Sequence, residues 1–131
     1  MGKPAAKQGD RITALDRHLI QPPGAPPPPP VLIPHAFSGI LTQSLSRDVR
    51  IQKRAAATTG SVAINTPPHV PSGGLFVNPP DNRGTVRTGS STVRINGKAA
   101  ARAGDAATTC SDPAPNQSAR VVAASTVRIG G

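Results

Sequence analysis

The stretch 93-VRINGKAAARAGD-105 combines three patterns that return elsewhere in the chain. The triplet VRI recurs at 49 and at 127, and the longer STVRI occurs at both 91 and 125. The segment AARAGD (100–105) resembles AAKQGD (5–10), and the Ala triplet at 99–101 has a counterpart at 55–57. Self-similarity of this kind indicates a chain built from variants of one short unit.

The VRI segments have the pattern of short strands. Their apolar residues alternate with Arg, Ala or Thr at a period of two, as in a strand with one buried face. Asn96-Gly97 predicts a tight hairpin turn, because both turn positions need a positive φ. A further segment, GSVAIN (60–65), shows the same alternation and is interpreted as a fourth relative of VRI.

Helix formation is poorly supported by the sequence. The 16 Pro and 13 Gly residues interrupt most stretches of ten residues. Leu41–Ala57 escapes them, but its apolar spacing is weak and it contains one of the VRI triplets. Helix remains the competing interpretation of the Ala triplets, whose small side chains otherwise suit close strand packing. The predicted fold is a compact all-β body of short hairpins with approximate internal repeats.

The apolar core that such a body can bury is small. Val, Ile, Leu and Phe together supply 26 of the 131 residues, with two Phe and no Trp or Tyr. This fraction lies at the border below which chains tend to remain disordered. We therefore expect an additional cross-link. Because Cys110 is the one cysteine, an internal disulfide is impossible and a metal ion is the remaining candidate.

A metal site is indicated by the three histidines and the cysteine. The motifs 34-PHAFSGIL-41 and 68-PHVPSGGL-75 repeat a Pro-His and a Ser-Gly pair, so we expect two related units, and four loops in all, to deliver one ligand each. Soft thiolate and imidazole favour zinc, although iron or another divalent ion could occupy the same set. Three imidazoles and one thiolate complete a tetrahedral set: His18, His35, His69 and Cys110.

Motifs for catalysis are absent from the sequence. Four protein ligands leave no coordination position for water, which is typical of a structural metal site. The chain has no Glu and no HExxH, GxGxxG, Walker A or GxSxG motif. A small metallohydrolase that uses Asp16 as its base is the catalytic alternative. The sequence favours a protein that is not an enzyme.

The charge of the chain points to an anionic partner or to a solvated basic surface. Its net charge is +9, so a basic domain that binds nucleic acid or an anionic membrane is the alternative function. Nucleic acid is disfavoured because Phe37 and Phe76 offer few faces for base stacking.

We expect synthesis in the cytoplasm, since the chain has no 18-residue apolar run and the N-terminal MGKPAAKQGD lacks the apolar segment of a signal peptide. The run 26-PPPPPVLIP-34 predicts a stiff polyproline II arm.

In combination, these segments resemble a known family. The matching residues are 4-PAAKQGD-10, 34-PHAFSGIL-41, 93-VRINGKAAARAGD-105 with Cys110 soon after, and 125-STVRIGG-131. On these segments the chain resembles the PAAR-repeat proteins, which form the pointed tip of the bacterial type VI secretion spike. One departure is Ala36, where the family's His motif often continues with Pro.

The resemblance implies a fold and a structural role. Family members are cones of short β-hairpins with a zinc ion near the apex, held by three His and one Cys that match His18, His35, His69 and Cys110. The broad base binds the end of the trimeric VgrG β-helix, one monomer on a trimer, and the tip leads the spike through the target-cell membrane, which it contacts transiently. Some members carry effectors.

The resemblance also implies an organisation and a location. We expect residues 1–131 to form a single PAAR-type domain with no C-terminal effector extension, cytoplasmic before firing and then secreted by the type VI system without a signal peptide. We further expect the three VRI segments (49–51, 93–95 and 127–129) to form a pseudo-threefold base that seats one chain on three. Open strand edges at such a base favour an obligate partner.

Overall fold

A computed structural model of the protein describes residues 2–131. Throughout these residues the chain is all-β and contains no helix, as the sequence predicts, and accordingly no helix that could cross a membrane. Its strands are β1 (Lys3–Pro4), β2 (Arg11–Gln21), β3 (Val31–Gln43), β4 (Arg50–Ile51), β5 (Arg54–Ala55), β6 (Val62–Asn65), β7 (Leu75–Phe76), β8 (Arg83–Val86), β9 (Arg94–Ile95), β10 (Lys98–Ala99), β11 (Ala106–Thr109), β12 (Asn116–Val122) and β13 (Arg128–Ile129).

Six of these strands close into a small antiparallel barrel. Strands β2, β3, β6, β8, β11 and β12 pair in this order, and β12 pairs back onto β2. The barrel thus consists of three strand pairs, β2–β3, β6–β8 and β11–β12, and each pair comes from one repeat of the chain. Closure removes the free edges that six separate strands would expose.

Three two-stranded ladders lie at one end of this barrel, and we call them the base. They are β4–β5, β9–β10 and β1–β13. The hairpin turn predicted at Asn96-Gly97 is confirmed, with φ angles of 53° and 80°. Gln52 and Lys53 make the equivalent turn with φ angles of 49° and 70°. In the third ladder, the two ends of the chain meet where the others have a turn.

A ring of three hydrogen bonds joins the three repeats where base and barrel meet. The N–H of Ala57 donates to the carbonyl of Ala6 at 3.0 Å, and the N–H of Ala6 donates to that of Ala101 at 2.9 Å. The N–H of Ala101 closes the ring on Ala57 at 3.0 Å. All three side chains are fully buried. Larger residues would not fit, because three backbones approach one another here, and the ring gives this end approximate threefold symmetry.

The apolar packing of the base follows the same threefold pattern. Its cluster takes one Ile from each VRI segment and one Ala from each Ala pair or triplet: Ile51, Ile95, Ile129, Ala5, Ala56 and Ala100. The Arg of each VRI segment is exposed while the Ile is buried, which confirms the strand alternation predicted for these segments.

A polar side chain closes the turn that leads from each base ladder into the barrel. In each repeat a backbone N–H donates to the side chain three residues further on: Lys7 to Asp10 at 3.0 Å, Thr58 to Ser61 at 2.9 Å and Arg102 to Asp105 at 2.7 Å. This equivalence corrects the interpretation of GSVAIN (60–65). Its Gly-Ser pair matches the Gly-Asp of the other repeats, so the segment enters the barrel and is not a relative of VRI.

The largest side chain in the buried core of the barrel is Phe37. Phe37 is 2% exposed, and two glycines make room for it. A Cβ at Gly39 would lie 2.7 Å from Cε1 of Phe37, and one at Gly84 would lie 3.1 Å from the same atom. The interior is therefore as small as the composition predicts.

Strand β2 connects the base to the opposite end of the molecule, which we call the apex. From Arg11, next to the first turn, to Gln21 the chain rises about 33 Å at the usual strand spacing. β3 pairs with β2 over ten residue pairs. Because β3 begins at Val31, the expected polyproline arm is wrong for residues 31–34, which form part of the long hairpin. The apex also carries the loops 66–74, 77–82 and 110–115.

Candidate metal centre

The three histidines and the cysteine lie toward the apex. His18 is on β2 and His35 on the neighbouring β3. His69 lies in the loop after β6, and Cys110 directly follows β11. The structure thus brings all four sequence-predicted residues to one place. The expectation of four ligand loops is wrong in detail, since strands carry two of the four.

Strand alternation explains why β2 contributes two buried polar residues. Asp16 and His18 are 0% and 1% exposed, whereas Arg17 between them is exposed. Side chains two residues apart on a strand share a face, so both point into the site. Asp16 also stands opposite His35 in the β2–β3 register, and this pairing brings His35 to the same level.

The three imidazoles form a compact triangle. The ring centroids are 5.0 Å apart for His18 and His69, 5.3 Å for His18 and His35, and 5.4 Å for His35 and His69. A tighter set of donor atoms, all within 4.8 Å of one another, comes from Asp16, His18, His69 and Cys110. This group could hold a metal ion. His35 borders the group through its ring contacts, and the sequence-based ligand set lacks Asp16.

Several nitrogen atoms of the triangle have no partner in the described residues. Nδ1 and Nε2 of His18 and Nε2 of His35 are buried without a hydrogen bond. Nδ1 of His35 donates to the carbonyl of Ile33 at 2.9 Å, which leaves Nε2 with its lone pair. Buried polar atoms normally have partners. A bound cation would satisfy these lone pairs, so the residues fit a metal ion.

Asp16 is the most connected polar residue of the centre. Its Oδ1 accepts hydrogen bonds from Thr109 Oγ1 at 2.6 Å and from Asn116 Nδ2 at 3.1 Å. Its Oδ2 lies 3.1 Å from His69 Nε2 and 3.5 Å from Cys110 Sγ. The carboxylate therefore ties β2 to β11, to β12 and to the His69 loop. Bonds to the carboxylate oxygens also fix its orientation toward the donor atoms.

The orientation of His69 is set from its other side. Asn65 Nδ2 lies 3.2 Å from His69 Nδ1, and Asn65 Oδ1 accepts the backbone N–H of Ser38 at 2.9 Å. The bond from Ser38 fixes the orientation of the Asn65 amide, so that the Asn65 NH2 group donates to Nδ1 of His69. The ring proton of His69 is therefore on Nε2, which donates to Asp16. The backbone N–H of His69 donates to Asn82 Oδ1 at 2.8 Å, which anchors the loop.

Burial favours the uncharged forms of two side chains in the centre, Cys110 and His18. Burial, followed by the nearby Asp16 carboxylate, raises the pKa of the Cys110 thiol to about 12. Burial and then the neighbouring His69 lower the pKa of His18. The thiol therefore holds its proton and His18 is neutral. A metal that takes the sulfur as thiolate must displace this proton.

Both phenylalanines contact the histidine triangle. The ring of Phe76 lies 5.7 Å from that of His18 and 5.6 Å from that of His35. The ring of Phe37 lies 5.9 Å from that of His69, on the barrel side. Both aromatic rings therefore pack against the imidazoles. They shield the site from water on two sides.

One side of the centre opens to solvent. A cavity of about 220 Å³ reaches His18 and Cys110 from outside. Its rim carries Asp81 and Asp112, and Asp112 Oδ2 lies 3.6 Å from His18 Nδ1. Two carboxylates at the mouth attract cations. The cavity thus provides an entry path for a metal ion.

Sequence reasoning missed the central position of Asp16, which it considered only as a base. The available signal was its spacing of two residues from His18 on a predicted strand.

The Pro-His repeat was misleading as a sign of equivalent positions for His35 and His69. His35 lies on a barrel strand of the first repeat, while His69 lies in a loop of the second. The two positions are not equivalent, and the offset shared by the two motifs does not reflect the structural repeat.

The fold and the site together define a class: a single-chain β-body with an approximately threefold base and a candidate metal centre toward the other end. Comparison with known families agrees. Residues 78–131 match the family model of the PAAR motif. No curated protein matches the chain. The matched part contains β8 to β13, and it includes two of the three VRI-type strands and Cys110. The chain therefore carries a PAAR motif over these residues, which agrees with the resemblance of its sequence to the PAAR-repeat proteins.

Proposed function

We propose that this protein is the structural tip of a type VI secretion spike. It caps the end of the trimeric VgrG β-helix, one copy per trimer, and sharpens the spike for puncture of the target-cell membrane. PAAR-motif proteins are structural components of this spike, and the proposal extends their role to this chain. The protein performs no catalytic step in this role, and effectors can travel with it.

The observation that carries the proposal is the hydrogen-bonded ring of Ala6, Ala57 and Ala101. A single chain that meets a threefold partner must present similar surfaces in three directions. The three repeats do so, because each contributes one base ladder, one alanine of the ring and one strand pair of the barrel. The short ladders end in open strand edges, which a partner's strands can cover.

The metal centre has a mechanical role in this proposal. We assign its ligands to His18, His35, His69 and Cys110, with zinc as the metal and Asp16 beside it. The bound ion supplies a rigid cross-link between β2, β3, the His69 loop and the end of β11. This cross-link replaces apolar packing that the apex lacks, since Leu32, Val70 and Leu75 are exposed there.

Co-purification tests the proposal. Affinity-tagged protein is mixed with candidate VgrG trimers from the same cell, and the complex is separated by size exclusion and weighed by light scattering. We expect one copy of this chain per VgrG trimer and about one zinc per chain by elemental analysis. Failure to bind any VgrG trimer would refute the capping role. Absence of metal from protein that still binds would refute the zinc assignment alone.

A further inference from the structure

Six exposed basic side chains form two sets of three on the base. The first set comes from the VRI segments and contains Arg50, Arg94 and Arg128. The second comes from the opposing strands of the same ladders and contains Lys3, Arg54 and Lys98. In each ladder the first-set residue pairs with the neighbour of the second-set residue: Arg50 with Ala55, Arg94 with Ala99 and Arg128 with Pro4. The same pair of charges therefore recurs three times.

The three arginines are held in the same way. In every ladder Nη1 of the arginine donates to the carbonyl of the residue just before the opposing strand: Arg50 to Lys53 at 3.5 Å, Arg94 to Gly97 at 3.3 Å and Arg128 to Gly2 at 3.0 Å. Each bond uses one of the guanidinium's five N–H groups. The remaining donors are available to a partner, and the shared anchor reduces the entropy lost when they bind.

The six charges lack acidic partners within the described residues. None of the six takes part in a salt bridge there. The acidic residues of the turns are already engaged, Asp10 with Lys7 and Asp105 with Arg102. Asp48 accepts a hydrogen bond from Asn96 at 2.8 Å, and this bond lowers the pKa of its carboxyl group. These six cations, with Asp48 as the acidic side chain near them that forms no ion pair, give this end a concentrated positive field.

We infer that the base docks on an acidic face, in which each chain of a homotrimer presents carboxylates to one Arg–Lys or Arg–Arg pair. The inference rests on the proposed function and adds the chemistry of the contact. Because the three chains of a homotrimer are identical, one acidic residue in their sequence occurs three times at the end of the trimer. This matches the threefold recurrence of the basic pairs. Guanidinium groups bind carboxylates in a planar two-bond geometry. Complementary charge speeds association and makes it sensitive to salt.

The test compares two triple variants that lose the same charge. The base variant is Arg50→Gln, Arg94→Gln and Arg128→Gln. The control is Arg17→Gln, Arg83→Gln and Arg120→Gln, whose exposed side chains lie on strands of the barrel. The Kd for the VgrG trimer identified by co-purification is measured at about 50 and 300 mM salt. We expect wild-type affinity to fall about tenfold over this range. The base variant should bind about tenfold more weakly at low salt and lose most of the salt dependence, while the control should stay within about twofold of wild type.

The outcomes separate this inference from the proposed function. Wild-type binding that is insensitive to salt and to the base substitutions overturns the acidic face and leaves the capping role intact. Equal weakening of both variants also overturns it, because total charge rather than the base then controls binding. No binding of the wild type to any VgrG trimer overturns both. Circular dichroism and the zinc content of each variant are measured first, to show that the compared proteins share one fold. If the base variant misfolds, it is replaced by the triple variant Lys3→Gln, Arg54→Gln and Lys98→Gln, for which we expect the same outcome.

Discussion

Oδ2 of Asp16 lies 3.1 Å from Nε2 of His69, and both side chains are buried, with 0% and 2% exposure. The pair joins residues 53 positions apart in the sequence. Burial of a carboxylate costs free energy unless positive charge or hydrogen bonds compensate it. Around Asp16 that compensation comes from hydrogen bonds, and a divalent cation in the centre would gain from this carboxylate.

Removal of the Asp16 charge should therefore weaken metal binding. The variant Asp16→Asn keeps the shape of the side chain but lacks its negative charge and one acceptor. We expect its zinc affinity to fall by about 10- to 100-fold, the usual effect of losing a group that orients or balances metal ligands. Competition with a chromophoric chelator measures the affinity. Asp48→Asn, at the base, is the control and should bind zinc like wild type; equal affinities for all three proteins would contradict the role of Asp16.

Loss of a histidine from the triangle should lower thermal stability more in zinc-loaded protein than in metal-free protein. His69→Ala should reduce the Tm of zinc-loaded protein markedly, because one coordinate bond is lost along with the anchoring of its loop. The matched comparison is the same variant and wild type after chelation, where the Tm difference should shrink. His35→Ala measures the contribution of the fourth expected ligand. A Tm of zinc-loaded His35→Ala equal to wild type would remove His35 from the ligand set.

Zinc binding should release a proton from Cys110. The pKa of this thiol, about 12, means that it is protonated at pH 7.5, whereas ligation requires the thiolate. Titration calorimetry in two buffers with different ionisation enthalpies should report release of about one proton per zinc. Cys110→Ser provides the comparison and should release less. Identical binding enthalpies in the two buffers would show that the sulfur is not a ligand.

Metal-free protein should be most stable between about pH 6.5 and pH 9, the ordinary values of the two groups involved. His18 has a lowered pKa when folded, so its contribution is complete above 6.5 and is lost as the pH falls toward the folded value. Cys110 has a raised pKa, so its contribution is complete below 9.0 and is lost as the pH rises toward 12. Urea unfolding across pH 5 to 10 measures this. A Cys110→Ala variant should lose the alkaline limb, and a flat wild-type profile would contradict the burial of both groups.

The barrel interior should not tolerate an added methyl group beside Phe37. Gly39→Ala places a Cβ 2.7 Å from Cε1 of that ring, and the same atom would lie 3.1 Å from a Cβ at Gly84. We expect a loss of about 1–3 kcal/mol in the free energy of unfolding. Gly130→Ala is the control, because a Cβ there meets no atom within 4 Å. Equal stability of the two variants in urea would show that the interior is loosely packed around Phe37.

Much of the base could be predicted because its signals are local. The Asn96-Gly97 turn, the alternation of Arg94 and Ile95 and the small residues after them each depend on neighbours in sequence. The same holds for the Gly-Asp turns, where a side chain bonds a backbone group three residues away. Even so, the second repeat was assigned incorrectly, because Ser61 replaces the aspartate and only the shared hydrogen bond shows the equivalence.

By itself the sequence determined an all-β chain with a small core and three VRI strands, and it offered three His and one Cys as candidate metal ligands. Only the tertiary structure decided that the repeats close into a ring at Ala6, Ala57 and Ala101. It also decided that Asp16 stands at the centre of the metal-binding group while the two Pro-His motifs occupy unrelated positions. The physical reason is separation along the chain. Turn chemistry and strand alternation act between neighbours, whereas barrel closure and strand register bring together residues tens of positions apart.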